Sequence, residues 1–354
     1  MKFTSDILKR QEMIMEMRLK QKNDLADSQA DGRSLTWNQK RNEDGLTALF
    51  RKEMADHIRS RRFLIVLGLV VLTSIASIYG AVLGMRGTDT AGSDYRFLQL
   101  FITSGSSIPS FISFIALLGP FVGLTLGFDA INSERSEGTL NRLVSQPVYR
   151  DVIINGKFLA GAAMSFLMVF SMGLFISATG LLVIGIPPEA EEVGRIVVCL
   201  LFTAVCICFW LALSILFSVV CRHAATSAML GIALWLFFAL FMSLVVNILT
   251  GILYPASKMT SMNSVIGYYQ FQTGLNRLSP YYLYSEAVST IMDPSVRTTN
   301  IILPQQLSGA VSGYLSLGQS ILLVWPHLTG LLALTAVVFA VSYISFMRKE
   351  IRSR

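Results

Sequence analysis

The chain has 354 residues, of which 53% are hydrophobic and 14% are charged, and its formal net charge is +7 at pH 7. Because a soluble domain usually carries about 25% charged residues, a water-soluble core cannot hide this much apolar surface. The composition therefore excludes a soluble globular protein and indicates an integral membrane protein. We interpret the excess of basic residues as a determinant of membrane topology and a contact with anionic lipid, and not as a nucleic-acid-binding surface.

Residues 1–45 are predicted to be a polar cytoplasmic tail. The first 22 residues alternate Met and Leu with charged side chains, and they lack the uncharged core of a cleavable signal peptide. Residues 23–45 are rich in Asp, Asn, Gln and Ser, which is typical of a linker. Met13, Met15 and Met17 have a spacing that scatters them around a helix, so we predict no metal site there.

An amphipathic helix is predicted from Leu46 onward, because apolar residues recur there at helical spacing and charged residues occupy the other side. Such a helix lies in the membrane interface and leads into the first span. A simple positive anchor for topology is the alternative interpretation, and the two are compatible. The residues that we assign to this helix as functional are Phe50, Met54, Ile58, Arg59 and Arg62.

Residues 46–354 are predicted to form one all-α membrane domain with six transmembrane helices. A hydrocarbon core of about 30 Å needs about 20 apolar residues in a helix. Six runs meet that length without an internal charge: Phe63–Met85, Ile108–Phe128, Phe158–Ile186, Ile196–Val220, Ser227–Leu253 and Leu323–Met347.

The basic residues predict the orientation of these spans. With a cytoplasmic N-terminus, the inner segments hold 23 of the 29 Lys and Arg residues, as the positive-inside rule expects. We therefore expect both termini on the cytoplasmic side of a multi-pass protein of the cytoplasmic (inner) membrane.

Small residues at a spacing of four line the second span, at Gly119, Gly123 and Gly127. Such spacing lets another backbone approach closely in lipid. We expect these glycines to face either a neighbouring helix of this chain or a partner subunit.

The segment 129–157 is a polar, charged loop between the second and third predicted spans. Ser133 can cap a helix, the carboxylates of the first turn favour its amides, and Pro147 would end it about three turns later. This predicts a short amphipathic helix on the membrane surface, with a solvated connector as the alternative. Its apolar side would carry Leu140, Leu143 and Val144.

The segment 254–322 is the longest outer loop, and it is rich in Tyr and Pro. We expect it to fold against the outer leaflet as an anchoring lid, with a binding role as the alternative. Leu307–Leu322 is apolar enough to re-enter the membrane without spanning it.

Signals for chemistry within this chain are missing. Gly156-Lys157-Phe158 lacks the upstream glycine and the Ser or Thr of a phosphate-binding loop, so we expect no ATP hydrolysis by this chain alone. Its histidines are far apart, and we predict no metal site and no catalytic residue. The four cysteines are interpreted as small packing residues, with a soft-metal path along Cys199 and Cys206 as the alternative.

Glu134–Arg150, with Ile154–Lys157 after it, resembles the cytoplasmic loop between the second and third spans of type-2 ABC exporter permeases. In particular, it is similar to the branch that includes permeases associated with multicopper-enzyme and nitrous-oxide-reductase maturation. A glutamate, Gly-Thr-Leu, Pro and Gly-Lys pattern recurs in that family. The matching residues here are Glu134, Gly138, Thr139, Leu140, Pro147, Arg150, Gly156 and Lys157.

Two further stretches carry the same resemblance. Phe50–Arg62 is similar to the family's N-terminal elbow helix, and Leu278–Ala287 is similar to its outer segment before the last span. The tail before Leu46 has no counterpart, and the outer loop is longer than the family pattern.

The resemblance implies a permease subunit that forms half of a homodimeric or heterodimeric pathway. It also implies a separate ATP-binding subunit that carries ATP and Mg²⁺ and docks on the loop, and it leaves the substrate open. An ATPase-coupled assembly or sensing subunit and an ATP-independent carrier are the alternatives. The coupling residues implied are Glu134, Arg135, Gly138, Thr139, Leu140, Leu143, Pro147, Arg150 and Lys157.

Overall fold

The computed structural model describes residues 45–86, 95–103, 109–138, 149–185, 187–255, 262–294 and 314–349. Within these ranges the regular secondary structure is helical. In chain order the helices are α1 (residues 45–59), α2 (Arg61–Arg86), α3 (Arg96–Ile102), α4 (Phe111–Gly127), α5 (Asn132–Ser136), α6 (Arg150–Ile184), α7 (Ala190–Val220), α8 (Ala224–Leu253), α9 (Met262–Asn276), α10 (Pro280–Met292) and α11 (Leu317–Arg348).

Six helices of the described chain are long and apolar enough to cross a membrane, which confirms the predicted number of spans. They are α2, α4, α6, α7, α8 and α11. The protein is therefore a multi-pass helical membrane protein. Within α8, residues Phe237–Phe241 form a π-helical segment that the apolar pattern did not predict.

Two predicted span boundaries were wrong near charged residues. The third span begins at Arg150 and not at Phe158, so Lys157 lies within a helix and not in a loop. The fourth begins at Ala190 and not at Ile196, because Glu189 and Glu192 form a capping box ahead of it. A charge near the end of an apolar run thus did not mark the end of the helix.

The last span also begins earlier than predicted, at Leu317, where Ser316 and Gln319 form a second capping box. Residues 317–322 therefore belong to a spanning helix, and assigning them to a re-entrant segment was wrong. The first part of Leu307–Leu322 lies outside the described residues.

Helix α7 is the centre of the bundle. Its most apolar window is 78% buried, whereas the corresponding windows of α8 and α11 are only 17% buried. The predicted glycine face of α4 packs against α7 of the same chain. An added Cβ at Gly123 would lie 2.6 Å from the Ile207 carbonyl, and one at Gly127 would lie 2.9 Å from Ser214 Cβ. Gly123 and Gly127 therefore face a neighbouring helix of this chain and not a partner subunit.

Helix α10 comes from the aromatic segment 254–322, which was predicted to be an outer loop, and it packs between α7 and α11. Ser279 caps its first turn by accepting a hydrogen bond from the Tyr282 amide. Tyr284 is buried, and its hydroxyl lies 2.8 Å from Thr203 Oγ1 of α7. This part of the outer segment therefore packs on protein.

Arg195 connects the ends of several helices on the side of the bundle away from α1, and its side chain is fully buried. Its guanidinium donates to the Ile291 carbonyl at 2.6 Å, to Ser320 Oγ at 3.2 Å and to the Leu315 carbonyl. It also pairs with Glu191 at 2.9 Å. A buried charge is tolerated only with such partners, so this contact holds α10 and α11 against α7.

We expect Arg195→Leu to lower the free energy of unfolding by about 3 kcal/mol, because it leaves buried carbonyls without donors. Arg195→Lys should recover only part of the loss, since an ammonium group cannot reach several acceptors in one plane. Denaturation of the purified chain in one detergent measures both, with Arg51→Leu at an exposed position as control. Equal stability of the Leu variant and the control would contradict this role.

Candidate functional site

Helix α1 packs against the first two turns of α6. Leu49 of α1 is 7% exposed, and an added Cβ at Gly156 would lie 2.8 Å from Leu49 Cδ2. Gly156 therefore permits the close approach of the two helices. The glycine of the Gly-Lys pair is explained by packing within this chain.

Lys157 follows Gly156 and lies at the centre of a cluster of charges. Its Nζ is 2.8 Å from Glu53 Oε1 of α1 and 3.5 Å from Glu134 Oε1 of α5. Lys52 approaches the same Glu134 oxygen at 3.3 Å. The Lys157 and Glu53 side chains are only 5% and 9% exposed. Three separate elements, α1, α5 and α6, are thus joined by one buried ammonium group.

A cavity of about 750 Å³ opens beside this cluster. Acidic side chains outnumber basic ones in its wall, so it presents a negative potential. The charged and titratable residues that line it are Lys52, Glu53, Asp56, His57, Asp129, Glu134, Glu137 and Lys157.

The pKa values of two of these groups follow from their surroundings. Burial, together with nearby Lys157, lowers the pKa of His57, so its imidazole is neutral at pH 7. Burial by itself would lower the pKa of Lys52, but Glu53 and Glu134 outweigh that effect and raise it. Lys52 therefore faces the carboxylates of the cavity as a cation.

Helix α5 begins where the end of α7 supplies an acceptor. Ser218 Oγ of α7 accepts hydrogen bonds from the Ile131 amide at 2.9 Å and from the Asn132 amide at 3.2 Å. The predicted capping role of Ser133 was wrong, because its hydroxyl donates to the Asp129 carbonyl one turn earlier. A residue distant in sequence thus sets the start of this helix.

Helix α5 ends after Ser136, far short of the three turns that were predicted. Gly138 has φ +72°, a left-handed conformation that favours glycine and terminates a helix. An added Cβ at Gly138 would meet no atom of the described residues within 4 Å, so among these residues conformation and not crowding favours the glycine. Residues 139–148, which include Pro147 and the predicted apolar side of the helix, lie outside the described residues.

An ion pair between Arg62 of α2 and Asp129, just after α4, closes the side of the site nearest the first span. The Arg62 guanidinium also lies over the Phe128 ring, 5.1 Å from its centroid. The first and second spans are therefore joined at the same end of the bundle as the cavity.

The structure brings only some of the predicted coupling residues together. Glu134 and Lys157 meet directly, whereas Arg150 turns away and donates to the Lys349 carbonyl at 3.5 Å. Arg135 is half-buried on α5, and Gly138 ends that helix. Thr139, Leu140, Leu143 and Pro147 lie outside the described residues.

The residues predicted for the amphipathic helix divide in a similar way. Phe50 and Met54 of α1 are half-buried, and Ile58 and Arg59 of α1 are exposed. Arg62 is also exposed but lies on α2, because the helix is interrupted at Ser60.

Among the residues that hold the site together, Lys52, Glu53, Asp129 and Ser218 were missed. Glu53 follows the buried Leu49 by one helical turn, and this spacing was the signal that it lies on the packed side of α1. The contact of Ser218 had no local signal.

We expect Lys157→Met to lower the free energy of unfolding by about 3 kcal/mol, because Glu53 then keeps a buried charge without its closest partner. The double variant Glu53→Leu/Lys157→Met should recover most of this loss. Lys52→Met, at a side chain that is 49% exposed, is the matched control and should cost about 0.5 kcal/mol or less. Detergent-solubilised protein denatured under one set of conditions gives all three values. A loss at Lys157 no larger than at Lys52 would refute the buried pair.

The sequence is also similar to known permeases. One relative is the probable ABC transporter permease protein NosY of Pseudomonas aeruginosa, 29% identical over 202 residues, or 55% of this chain and 66% of that protein. The NosY protein of Stutzerimonas stutzeri, described in the same words, is 30% identical over 137 residues, or 38% of this chain and 46% of its own. The matched regions span less than two thirds of each relative's length.

The family model of ABC-2 family transporter proteins matches residues 47–351, which include all the described helices except the first two residues of α1. This match extends through the six spans and the charge cluster on α1, α5 and α6. The chain therefore belongs to the ABC-2 transporter family and is a permease, the membrane subunit of an ABC transporter.

Proposed function

We propose that this permease forms a transport pathway with a second permease copy and is driven by a separate ATP-binding subunit. That subunit docks on α5 and on the segment after it, beside the cavity. The observation that carries the proposal is the buried contact of Lys157 with both Glu53 and Glu134. ATP and Mg²⁺ belong to the partner, and this chain contributes the receiving surface and the path.

The charge cluster provides a physical route for force. A partner that displaces α5 moves Glu134, and Glu134 is bonded to Lys157 within the first turns of the third span. Because Lys157 is also held by Glu53, the displacement reaches α1 as well. Packed helices move as rigid bodies, so a small shift at α5 tilts spans instead of dissipating locally.

The end of α7 adds a second route. Ser218 holds the first amides of α5, so α5 cannot move far without the most buried helix of the bundle. The proposed docking segment is thus attached to the third span by charge and to the fourth span by hydrogen bonds. Alternation between inward-open and outward-open states would use both attachments.

A second copy is proposed to pack on the exposed apolar sides of the bundle. Helices α8 and α11 bury little of their surface within one chain. Large apolar side chains remain uncovered along α8, among them Leu240, Phe241, Leu244, Ile248 and Ile252. These surfaces face either lipid or the partner copy.

Docking is tested with variants on and beside the proposed surface. We expect Glu134→Gln and Leu140→Asp to insert normally but to reduce the ATP-binding subunit that co-purifies by about tenfold, because each removes a contact worth about 1–3 kcal/mol. Ser136→Ala, on exposed α5 surface, is the control. The permease purified alone should hydrolyse no ATP above background. Full co-purification and full coupled activity in both variants would refute the docking site.

The orientation of the chain gives a separate prediction, which rests on the position of 23 of 29 basic residues in the proposed inner segments. Single cysteines at Asp31 and Asn141 should be protected from an impermeant thiol reagent in intact cells. Cysteines at Ser93 and Gln305 should be labelled. Labelling at Asn141 without permeabilisation would invert the proposed topology, and the unmodified chain controls for its native thiols.

A further inference from the structure

Helices α9 and α10 form a hairpin whose turn lies near the middle of the bundle. Ser279, in the turn, donates a hydrogen bond at 3.4 Å to the carbonyl of Phe238, which lies midway along α8. Tyr284 of α10 bonds to Thr203, which is about 20 Å from the start of α7 at about 1.5 Å per residue. Two spanning helices therefore place the turn at a similar depth.

The hairpin enters and leaves the bundle at the end away from α1. Gln272 of α9 donates to Asn247 Oδ1 of α8 at 2.6 Å, and the Tyr268 ring lies 6.4 Å from the ring of Tyr254, just after α8. Helix α9 therefore runs antiparallel to the second half of α8. Helix α10 returns to the same end, because its last turn is held there beside the start of α7.

A polar stripe runs along the side of α9 that does not face α8. Residues at spacings of three, four and seven share one side of a helix, and the Arg277 amide donates to the Thr273 carbonyl, which extends the helical register to Arg277. Apart from the apolar Ile266, the residues on this side are Asn263, Gln270, Thr273, Gly274 and Arg277. No residue of α9 is buried by the described part of the chain, so this side is uncovered there.

Arg277 stands at the deep end of the polar stripe. Its guanidinium donates two hydrogen bonds to Glu286 of α10, at 3.0 and 2.9 Å, and His327 Nε2 of α11 lies 2.7 Å from the same carboxylate. The Arg277 side chain is nevertheless 31% exposed among the described residues. The stripe therefore ends in a charged cluster near the middle of the bundle, and part of that cluster is uncovered.

Lipid tails are a poor cover for such a surface. The hydrocarbon core offers no hydrogen bonds, and charged side chains at that depth usually face protein or a water-filled cavity. The opposite side of α8 is of the other kind, since Leu244, Ile248 and Ile252 are exposed and apolar there. Two adjacent helices at one depth thus present surfaces of opposite polarity.

We propose that the polar stripe of α9 lines a water-filled vestibule, which opens at the end of the bundle away from α1 and reaches inward to Arg277. Its occupants are water and small hydrophilic solutes, because the stripe presents amide, hydroxyl and guanidinium groups over successive turns. As a part of the transport path the vestibule rests on the proposed function. Its water content does not, since that is a property of this chain.

Two glycines provide a matched test of water access. An added Cβ at Gly274 of α9 or at Gly251 of α8 would meet no atom of the described residues within 4 Å, so a cysteine fits at both positions. Gly251 lies near the end of α8, on the apolar side that carries Ile248. Gly274 lies deeper, by the register that the contact between Gln272 and Asn247 sets.

Each single cysteine is introduced into the full chain, which is reconstituted in lipid nanodiscs and treated with a charged, water-soluble methanethiosulfonate. Nanodiscs expose both membrane surfaces, so the result does not depend on topology. We expect Gly274→Cys to react about a hundredfold faster than Gly251→Cys despite its greater depth, because the thiolate forms in water and lipid tails exclude a charged reagent. The unmodified chain gives the background from its four native thiols.

A second pair of positions repeats the comparison if a glycine variant fails to fold. Gln270 of α9 is exposed on the polar stripe, and Ile248 of α8 is 62% exposed at a similar depth. Gln270→Cys should again react about a hundredfold faster than Ile248→Cys. Labelling at Gly274 no faster than at Gly251, or equal rates for the second pair, would overturn the vestibule, whether lipid or a second copy then covers the stripe. The measurement contains no ATP-binding subunit, so this outcome would not bear on docking at α5.

Discussion

The close packing of α7 against α4 is the constraint on which the other contacts depend. Gly123 lets the two backbones approach to a distance that no larger side chain allows. Across this contact Ser214 Oγ donates to the Leu124 carbonyl at 2.9 Å, which satisfies a polar group where no water is available. With α4 held so closely, both ends of α7 stand at defined positions beside the loops.

Polar residues at those ends then organise the two sides of the molecule. At the N-terminal end of α7, Glu192 accepts hydrogen bonds from the Phe97 and Leu98 amides of α3, and Arg195 binds α10 and α11. At the other end Ser218 holds α5. Because α7 takes part in both groups of contacts, a movement of the proposed docking segment can reach α10 and α11 through one rigid helix. Such a connection is what the proposed alternating pathway requires.

Sequence patterns predicted the long apolar elements well and the polar contacts poorly. Length and hydropathy were enough for six spans, because lipid demands about 20 apolar residues in each. The predicted starts of three spans were wrong, because buried or capped polar residues extend each helix beyond its apolar run. These helices begin at Arg150, Ala190 and Leu317. Within the proposed site, the resemblance pointed to Glu134 and Lys157, but it could not show that Lys157 lies inside a helix and pairs with Glu53.

The sequence by itself determined the membrane class, the number of spans and the family pattern, because each depends on local composition or on residues adjacent in the chain. Only the tertiary structure decided which polar groups meet. Glu53 and Lys157 are separated by 104 positions, and Ser218 and Ile131 by 87, so no local pattern could pair them. The bundle holds few charges, and the packing of its apolar helices determines which polar groups come into contact. Each buried polar group must pair with one that this packing places nearby.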